Sequence, residues 1–143
     1  MRARASIVID RPPMEVFTHI ADFESHPSWR PEVLTSKTVG SPGVGMTIYQ
    51  HVSVQGRQAM LPLEVSEWSP PERISFRYAG PPRVRGGFIL RPEGKGTHLT
   101  VFATVSISGK AELVEDRIQS AVESEARRDL GRLKSRIERG AEA

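Results

Sequence analysis

Five consecutive stretches between residues 46 and 107 alternate apolar and polar side chains, and all five do so in the same phase. A two-residue turn at Gln55 and Gly56 sets the apolar positions of the first two stretches opposite one another. The later turns, which are rich in proline and glycine, keep the same face apolar. Because strand side chains alternate between the two faces of a sheet, this agreement predicts a continuous antiparallel meander with one covered side.

The cover for this sheet is predicted to be a long C-terminal helix. Residues 111–139 contain no proline, and their apolar side chains recur every three or four positions. This spacing predicts an amphipathic helix of about 26–28 residues, roughly 40 Å long. Glu125 and Asp129 fall beside the apolar stripe, and we expect them to line or seal its middle. The stripe consists of Val114, Ile118, Ala121, Val122, Ala126, Leu130, Leu133 and Ile137.

The N-terminal region supplies one more strand and two short helical segments. Residues 2–10 alternate like a strand, residues 14–21 have the pattern of a short helix, and residues 22–31 form a loop or a second short helix. Residues 32–39 then begin the run of six strands. The chain of 143 residues has the length of one domain, so the sequence predicts a single α+β domain over residues 1–143.

Composition excludes several classes of site. The chain has no cysteine, which rules out disulfides, thiolate catalysis and cysteine-ligated metals. The first ten residues lack the apolar stretch of a secretory signal, and no run approaches the roughly 20 apolar residues that span a bilayer. We therefore expect a cytoplasmic protein without a membrane span.

Four stretches of sequence carry a resemblance to a known family. They are IDRPPMEVF at 9–17, VSEWSPPERI at 65–74, GTHLT at 96–100 and DLGRLK at 129–134. Together they resemble the polyketide cyclase/dehydrase-type branch of the START-like, or SRPBCC, superfamily. The resemblance implies a helix-grip fold, in which a curved seven-stranded antiparallel sheet wraps around the long C-terminal helix. It also implies an apolar cavity between sheet and helix that binds a small hydrophobic molecule, lipid-like or polyketide-like.

The covered face has few polar side chains, and we identify its residues as candidate ligand contacts. Gln50 interrupts the apolar stripe, so its amide must bond a ligand, a backbone group or a water. Tyr78 is either a ligand contact or a core tyrosine, and Trp29 is either a gate at the cavity mouth or an anchor for its loop. Thr35 or Lys37 is expected to add a polar group. The candidate set is Trp29, Gln50, Leu61, Leu63, Phe76, Tyr78, Phe88, Val101, Val114 and Ile118.

The motifs of common catalytic and cofactor sites do not occur. The four histidines lack metal-ligand spacing, and the chain has no nucleophile elbow, phosphate loop or dinucleotide fingerprint. We therefore predict no metal and no cofactor, and assign no catalytic residue. The leading hypothesis is a binding protein without catalysis. An alternative is a polyketide cyclase, aromatase or dehydratase, whose acid or base would come from Tyr78, Arg117, Glu125 and Asp129.

The opposite face of the sheet suggests a third hypothesis. Arg77, Arg83 and Arg85 share this face with Phe102 and Ile89. Such a surface favours a protein-interaction module of the co-chaperone-like kind, and its small apolar patch is compatible with a homodimer. Few aromatic side chains lie between the arginines to stack on bases, so we do not expect nucleic acid as a partner.

Overall fold

A computed structural model describes residues 1–54, 56–106 and 109–140. Its element order confirms the predicted α+β helix-grip architecture. The predicted turn residue Gln55 and the last predicted strand residue Ile107 lie outside the described residues. The elements are β1 (Arg2–Ile9), α1 (Pro13–Ala21), a first 3₁₀ helix (Phe23–Ser28), β2 (Val33–Val39), β3 (Thr47–Val54), β4 (Arg57–Ser69), β5 (Arg73–Tyr78), β6 (Val84–Glu93), β7 (Gly96–Val105), a second 3₁₀ helix (Gly109–Val114) and α2 (Glu115–Gly140).

The seven strands form one antiparallel sheet in the order β1-β7-β6-β5-β4-β3-β2. From β2 to β7 each strand pairs with the next strand in the sequence. The first strand, β1, pairs with β7 and forms one edge of the sheet. The register also follows from the sequence pattern. Gln50 pairs with Leu61 across β3 and β4, and Val65 pairs with Phe76 across β4 and β5. The apolar residues that the sequence pattern places in phase therefore lie on the same face of the sheet.

Strand β2 departs from the predicted alternation. Its pairing with β3 shifts between Val33 and Thr35, which marks a bulge or irregularity. A bulge adds one residue to a strand and reverses the side-chain phase beyond it. Ser36 is consequently buried, while Thr35 and Lys37 are exposed. The expectation that Thr35 or Lys37 would contribute to the covered face is wrong for this reason.

The hydrophobic core occupies one end of the space between sheet and α2. In α2 the fully buried side chains belong to its C-terminal half: Asp129, Leu130, Leu133 and Ile137. Helix α1 adds Val16, Phe17 and Ile20 to this core. The N-terminal half of α2, which includes Ile118 and Val122, is only half-buried against the sheet. The long helix therefore leaves a space beneath its first half.

Gly87 allows two strands to approach closely within the sheet. A Cβ atom at this position would lie 2.3 Å from the carbonyl oxygen of Ile74 on β5, far inside van der Waals contact. Glycine is thus required by space at this point in β6. Among the described residues, no helix is long and apolar enough to cross a membrane.

Candidate functional site

A cavity of about 870 Å³ lies between the sheet and the N-terminal half of α2. Small-molecule sites in proteins typically have volumes of roughly 300–1,000 Å³, so this cavity is large enough for a ligand. Eight of the ten predicted contact residues line it. They are Trp29, Gln50, Leu61, Leu63, Phe76, Phe88, Val101 and Ile118. Phe88 also belongs to the hydrophobic core, and Phe76 packs against that core, so this wall of the cavity is continuous with the core.

Two predicted contact residues lie elsewhere. Tyr78 is the last residue of β5, where it is half-buried and packs against the edge of the core. Val114 precedes α2 and is 38% exposed, because the α-helix begins only at Glu115. Neither residue is among those that the structure describes as lining the cavity.

Gln50 finds its hydrogen-bond partner inside the protein. The side chain is 3% exposed, and its Nε2 donates to Ser36 Oγ on the adjacent strand at 3.3 Å. The bulge in β2 makes this bond possible, because it turns Ser36 inward. The Gln50 amide nitrogen is thus satisfied by a side-chain hydroxyl, which is none of the three partners expected from the sequence.

Three carboxylates form the polar end of the cavity. Glu32 precedes β2, and Glu125 and Asp129 lie one turn apart on α2; all three line the cavity. Carboxylate oxygens of the three residues lie within 4.8 Å of one another. Glu125 and Asp129, which the sequence places beside the apolar stripe, line the cavity from α2, and Glu32 joins them from the sheet side.

Asp129 is the most perturbed acid of this cluster. Burial raises its pKa, a hydrogen bond with Glu32 and the negative charges of Glu32 and Glu125 raise it further, and the value is about 8. Its Oδ1 accepts a hydrogen bond from Arg132 Nη1 at 2.9 Å. Asp129 therefore holds a proton at neutral pH, although an unperturbed aspartate would be ionised.

Glu32 titrates in the opposite direction. Burial alone would raise its pKa, but the hydrogen bond with Asp129 and the charge of Arg30 outweigh burial and lower the pKa. Arg30 Nε lies 3.2 Å from Glu32 Oε1. Among the described residues, the buried Glu32 Oε2 has no N–H or hydroxyl partner. The proton on Asp129 supplies the missing donor, so the pair shares one proton between two carboxyl groups.

The three carboxylates are also the group that could hold a cation. Arg30, however, already brings a positive charge to them: its Nε lies 3.2 Å from Glu32 and 3.9 Å from Asp129. The shared proton, Arg30 and the ion pair of Glu125 with Arg128 at 2.7 Å together balance the three carboxylates. The geometry thus gives a proton-holding pair beside an arginine, and we assign no metal to it.

His26 supports the loop that delivers Trp29 and Arg30. The ring is fully buried, and its Nε2 lies 2.8 Å from the carbonyl oxygen of Ile20, which requires a proton on Nε2. Burial, and then the charge of Arg30, lowers its pKa to about 3, so His26 is neutral. The sequence predicts a loop or a second short helix over residues 22–31, and the structure places His26 inside the first 3₁₀ helix.

Trp29 packs between His26 and Phe88, with ring centroids 4.8 and 6.4 Å away. It is 2% exposed, which favours the anchor interpretation over a gate at the mouth. Among the described residues, the buried indole Nε1 has no hydrogen-bond partner. Trp29 is thus a wall of the cavity that carries an unpaired donor.

The sequence reasoning missed Glu32 and Arg30 as members of the polar cluster. By pattern alone, Glu32 begins a strand and Arg30 belongs to a loop. Both residues follow Trp29 closely in the sequence, and Trp29 is already a candidate for the cavity mouth. This closeness is the one sequence feature that could have identified them as cavity residues. Arg117, one of the four candidate acid–base residues, is exposed on α2 and does not line the cavity.

The outer face of the sheet has the predicted composition. Arg77 forms an ion pair with Glu64 across β4 and β5 at 3.3 Å. Arg73 lies over the ring of Phe102, 5.3 Å from its centroid. Arg77 also pairs with Arg85 across β5 and β6. The interaction and homodimer hypotheses for this face stay predictions.

Comparison with known proteins agrees with this architecture. The fold and its cavity are those of a helix-grip protein. The chain belongs to the family described as polyketide cyclase / dehydrase and lipid transport, whose model matches residues 1–138. No curated protein matches the chain.

Solved structures show the same fold at low identity. A Thermus thermophilus protein, TTHA0849, is similar with a TM-score of 0.85 at 21% identity, covering 98% of this chain and 99% of its own. The Zhui aromatase/cyclase from a Streptomyces strain has a TM-score of 0.78 at 16% identity, covering 97% and 94%. A START superfamily protein from Mycobacterium smegmatis has a TM-score of 0.76 at 17% identity, covering 96% and 97%.

Proposed function

We propose that this chain binds a small, largely apolar molecule, lipid-like or polyketide-like, in the cavity between the sheet and α2, without catalysis and in the cytoplasm. The observation that carries the proposal is the 870 Å³ cavity, whose walls are formed mainly by aliphatic and aromatic side chains. Burial of apolar ligand surface against such walls is favourable by roughly 25 cal/mol per Å². Membership of a family that includes lipid transport supports the same function.

The polar cluster at one end of the cavity would orient such a ligand. Arg30, Glu32, Glu125 and Asp129 line this end of the cavity and supply hydrogen-bond donors and acceptors. A ligand with a hydroxyl or carbonyl group at one end satisfies these groups while its apolar body lies against Leu61 and Leu63. A few polar groups at one end of an apolar cavity are the usual source of orientation.

Two variants on β4 test the proposal with a neutral fluorescent probe, N-phenyl-1-naphthylamine. Leu61 lines the cavity, whereas its neighbour Met60 is 54% exposed on the opposite face. Leu61→Trp adds a bulky ring to the cavity wall, so we expect probe binding to weaken. Met60→Trp adds the same side chain outside the cavity, so we expect binding like that of wild type. A folded Leu61→Trp protein that binds the probe as wild type does would refute the proposal.

A second candidate function, a dehydratase or cyclase acting on a polyketide-like substrate, is favoured by the carboxyl pair. Asp129 is a proton donor at neutral pH, and Glu32 is ionised beside it. In a dehydration, the Glu32 carboxylate would take a proton from the carbon next to a carbonyl. The hydroxyl group on the β carbon would then leave as water with the proton of Asp129, and transfer of the proton from Glu32 back to Asp129 would restore the pair.

Absorbance of a conjugated product, formed from a β-hydroxy thioester, tests this second function. We expect wild type to release water and Asp129→Asn to lose activity while it still binds the neutral probe. Glu138→Gln, on the same helix outside the cavity, is the matched control. Probe binding without any turnover in wild type would leave the binding function standing and reject the dehydratase.

A further inference from the structure

A second site lies outside the apolar cavity, in a groove between α2 and the first 3₁₀ helix. The groove has a volume of about 590 Å³. Four arginines of α2 line it, at spacings of four, four and three residues, which places them on one face of the helix over roughly 16 Å. The lining residues are Ser28, Arg128, Gly131, Arg132, Ser135, Arg136 and Arg139.

The positive charge of this groove is only partly balanced. Arg128 pairs with Glu125 at 2.7 Å, and Arg132 bonds Asp129 at 2.9 Å. Of these two partners only Glu125 is charged, because Asp129 holds a proton, and the other two arginines bond neutral groups. Arg136 Nη1 donates to Ser28 Oγ, and Arg139 Nε donates to the carbonyl oxygen of Ser135 at 3.1 Å. No lining residue among those the structure describes is acidic. Like charges at this helical spacing repel, so folding alone does not favour the arrangement.

Gly131 is a second, independent feature of the groove. Glycine inside a helix lowers its stability relative to alanine. Packing does not require it here, because a Cβ atom at this position would have no neighbour within 4 Å. Gly131 lies among the lining residues between Arg128 and Arg132. The missing side chain therefore leaves the wall of the groove open between Arg128 and Arg132.

We propose that this groove is an anion site that binds a phosphate-bearing small molecule. The guanidinium group of arginine presents paired N–H donors that match two oxygens of a phosphate. Ser28 and Ser135 lie beside them as hydroxyl groups. The groove is open to solvent along α2, so its exposed arginines can reach a phosphate group, and its volume is that of a small-molecule site. Arg128 lines both this groove and the apolar cavity, so the two sites adjoin along α2.

Isothermal titration with inorganic pyrophosphate tests the site. We expect wild type to bind and the double variant R136Q/R139Q to lose at least about tenfold in affinity, as removal of two charge-assisted contacts implies. The control is R117Q/R127Q, which removes the same charge from exposed positions of α2 outside the groove. Equal losses in both double variants would show general charge attraction and overturn the proposal, as would a wild type that does not bind.

Gly131→Leu provides a test that leaves every charge in place. A leucine side chain would occupy the open wall of the groove, so we expect pyrophosphate binding to be lost while circular dichroism and binding of N-phenyl-1-naphthylamine are retained. Unchanged pyrophosphate affinity in this variant would overturn the proposal.

Vesicles of phosphatidylcholine, with and without phosphatidic acid, distinguish a free ligand from a lipid headgroup. We expect wild type to bind free pyrophosphate and not to sediment with either vesicle. Sedimentation with phosphatidic acid vesicles that is lost in R136Q/R139Q, without pyrophosphate binding, would replace the proposed small-molecule site with a membrane surface.

Discussion

Replacing Asp129 with asparagine tests the shared proton directly. At neutral pH the Asp129 carboxyl is protonated, so it donates to Glu32 and accepts from Arg132. Asparagine has nearly the same shape, and its amide group can donate to Glu32 and accept from Arg132 in the same way. It cannot titrate. We therefore expect Asp129→Asn to fold normally and to differ from wild type in how its stability depends on pH.

The magnitude follows from proton linkage. The pKa of Asp129 is 3.8 in the unfolded chain and about 8 in the folded protein. Between these values the folded protein holds one proton more, so wild-type stability falls as pH rises, by about 1.4 kcal/mol per pH unit. From about pH 6.5 to pH 8 the upper limit is roughly 2 kcal/mol, and screening by water in the open cavity reduces it to about 1 kcal/mol.

Urea denaturation across this pH range measures the effect as a difference between two proteins. We expect the stability of Asp129→Asn relative to wild type to rise by about 1 kcal/mol from pH 6.5 to pH 8. Asp116→Asn, at an exposed position in the first turn of the same helix, should give a profile parallel to wild type. A constant difference between Asp129→Asn and wild type over this range would refute the shared proton.

Three further substitutions test the packing, each by urea denaturation. His26→Leu removes the donor to the Ile20 carbonyl and should lower the free energy of unfolding by about 1–3 kcal/mol. In wild type, the lowered pKa of His26 makes the protein less stable as pH falls from 6.5 towards 3. The leucine variant should lack this pH dependence. Gly87→Ala should cost about 1–3 kcal/mol, because its Cβ would meet the Ile74 carbonyl. Gly131→Ala should add about 0.5–1 kcal/mol, because the space is open. A Gly87→Ala variant more stable than wild type, or a Gly131→Ala variant less stable than wild type, would contradict the backbone geometry.

The sheet could be predicted almost completely because its evidence is local. Alternation over a few residues indicates which side of a strand is apolar, and short turns link each strand to the next. The pairing of Gln50 with Leu61 followed from one turn, and the structure confirms it. The bulge near Thr35 could not be seen in the same way, because the residues around it are compatible with either phase.

The apolar walls of the candidate site were also predictable, and its polar end was not. Phe76, Phe88 and Leu63 belong to the in-phase face, so their position followed from periodicity. Glu32 and Arg30 lie in a connecting segment without periodicity, and α2 approaches them only in the folded chain. Val114 fits the helical pattern, but α2 begins after it, since the end of a helix depends on local geometry that apolar spacing does not specify.

The sequence by itself determined the order of the elements, the covered face of the sheet and the length of the final helix, because each depends on the spacing of apolar residues along the chain. Tertiary structure decided where the helix packs tightly and where it leaves a cavity. It also decided that Asp129 holds a proton at neutral pH. Burial and the charges of Glu32 and Arg30 set that property, and residues so distant in sequence come together only when the sheet closes around the helix.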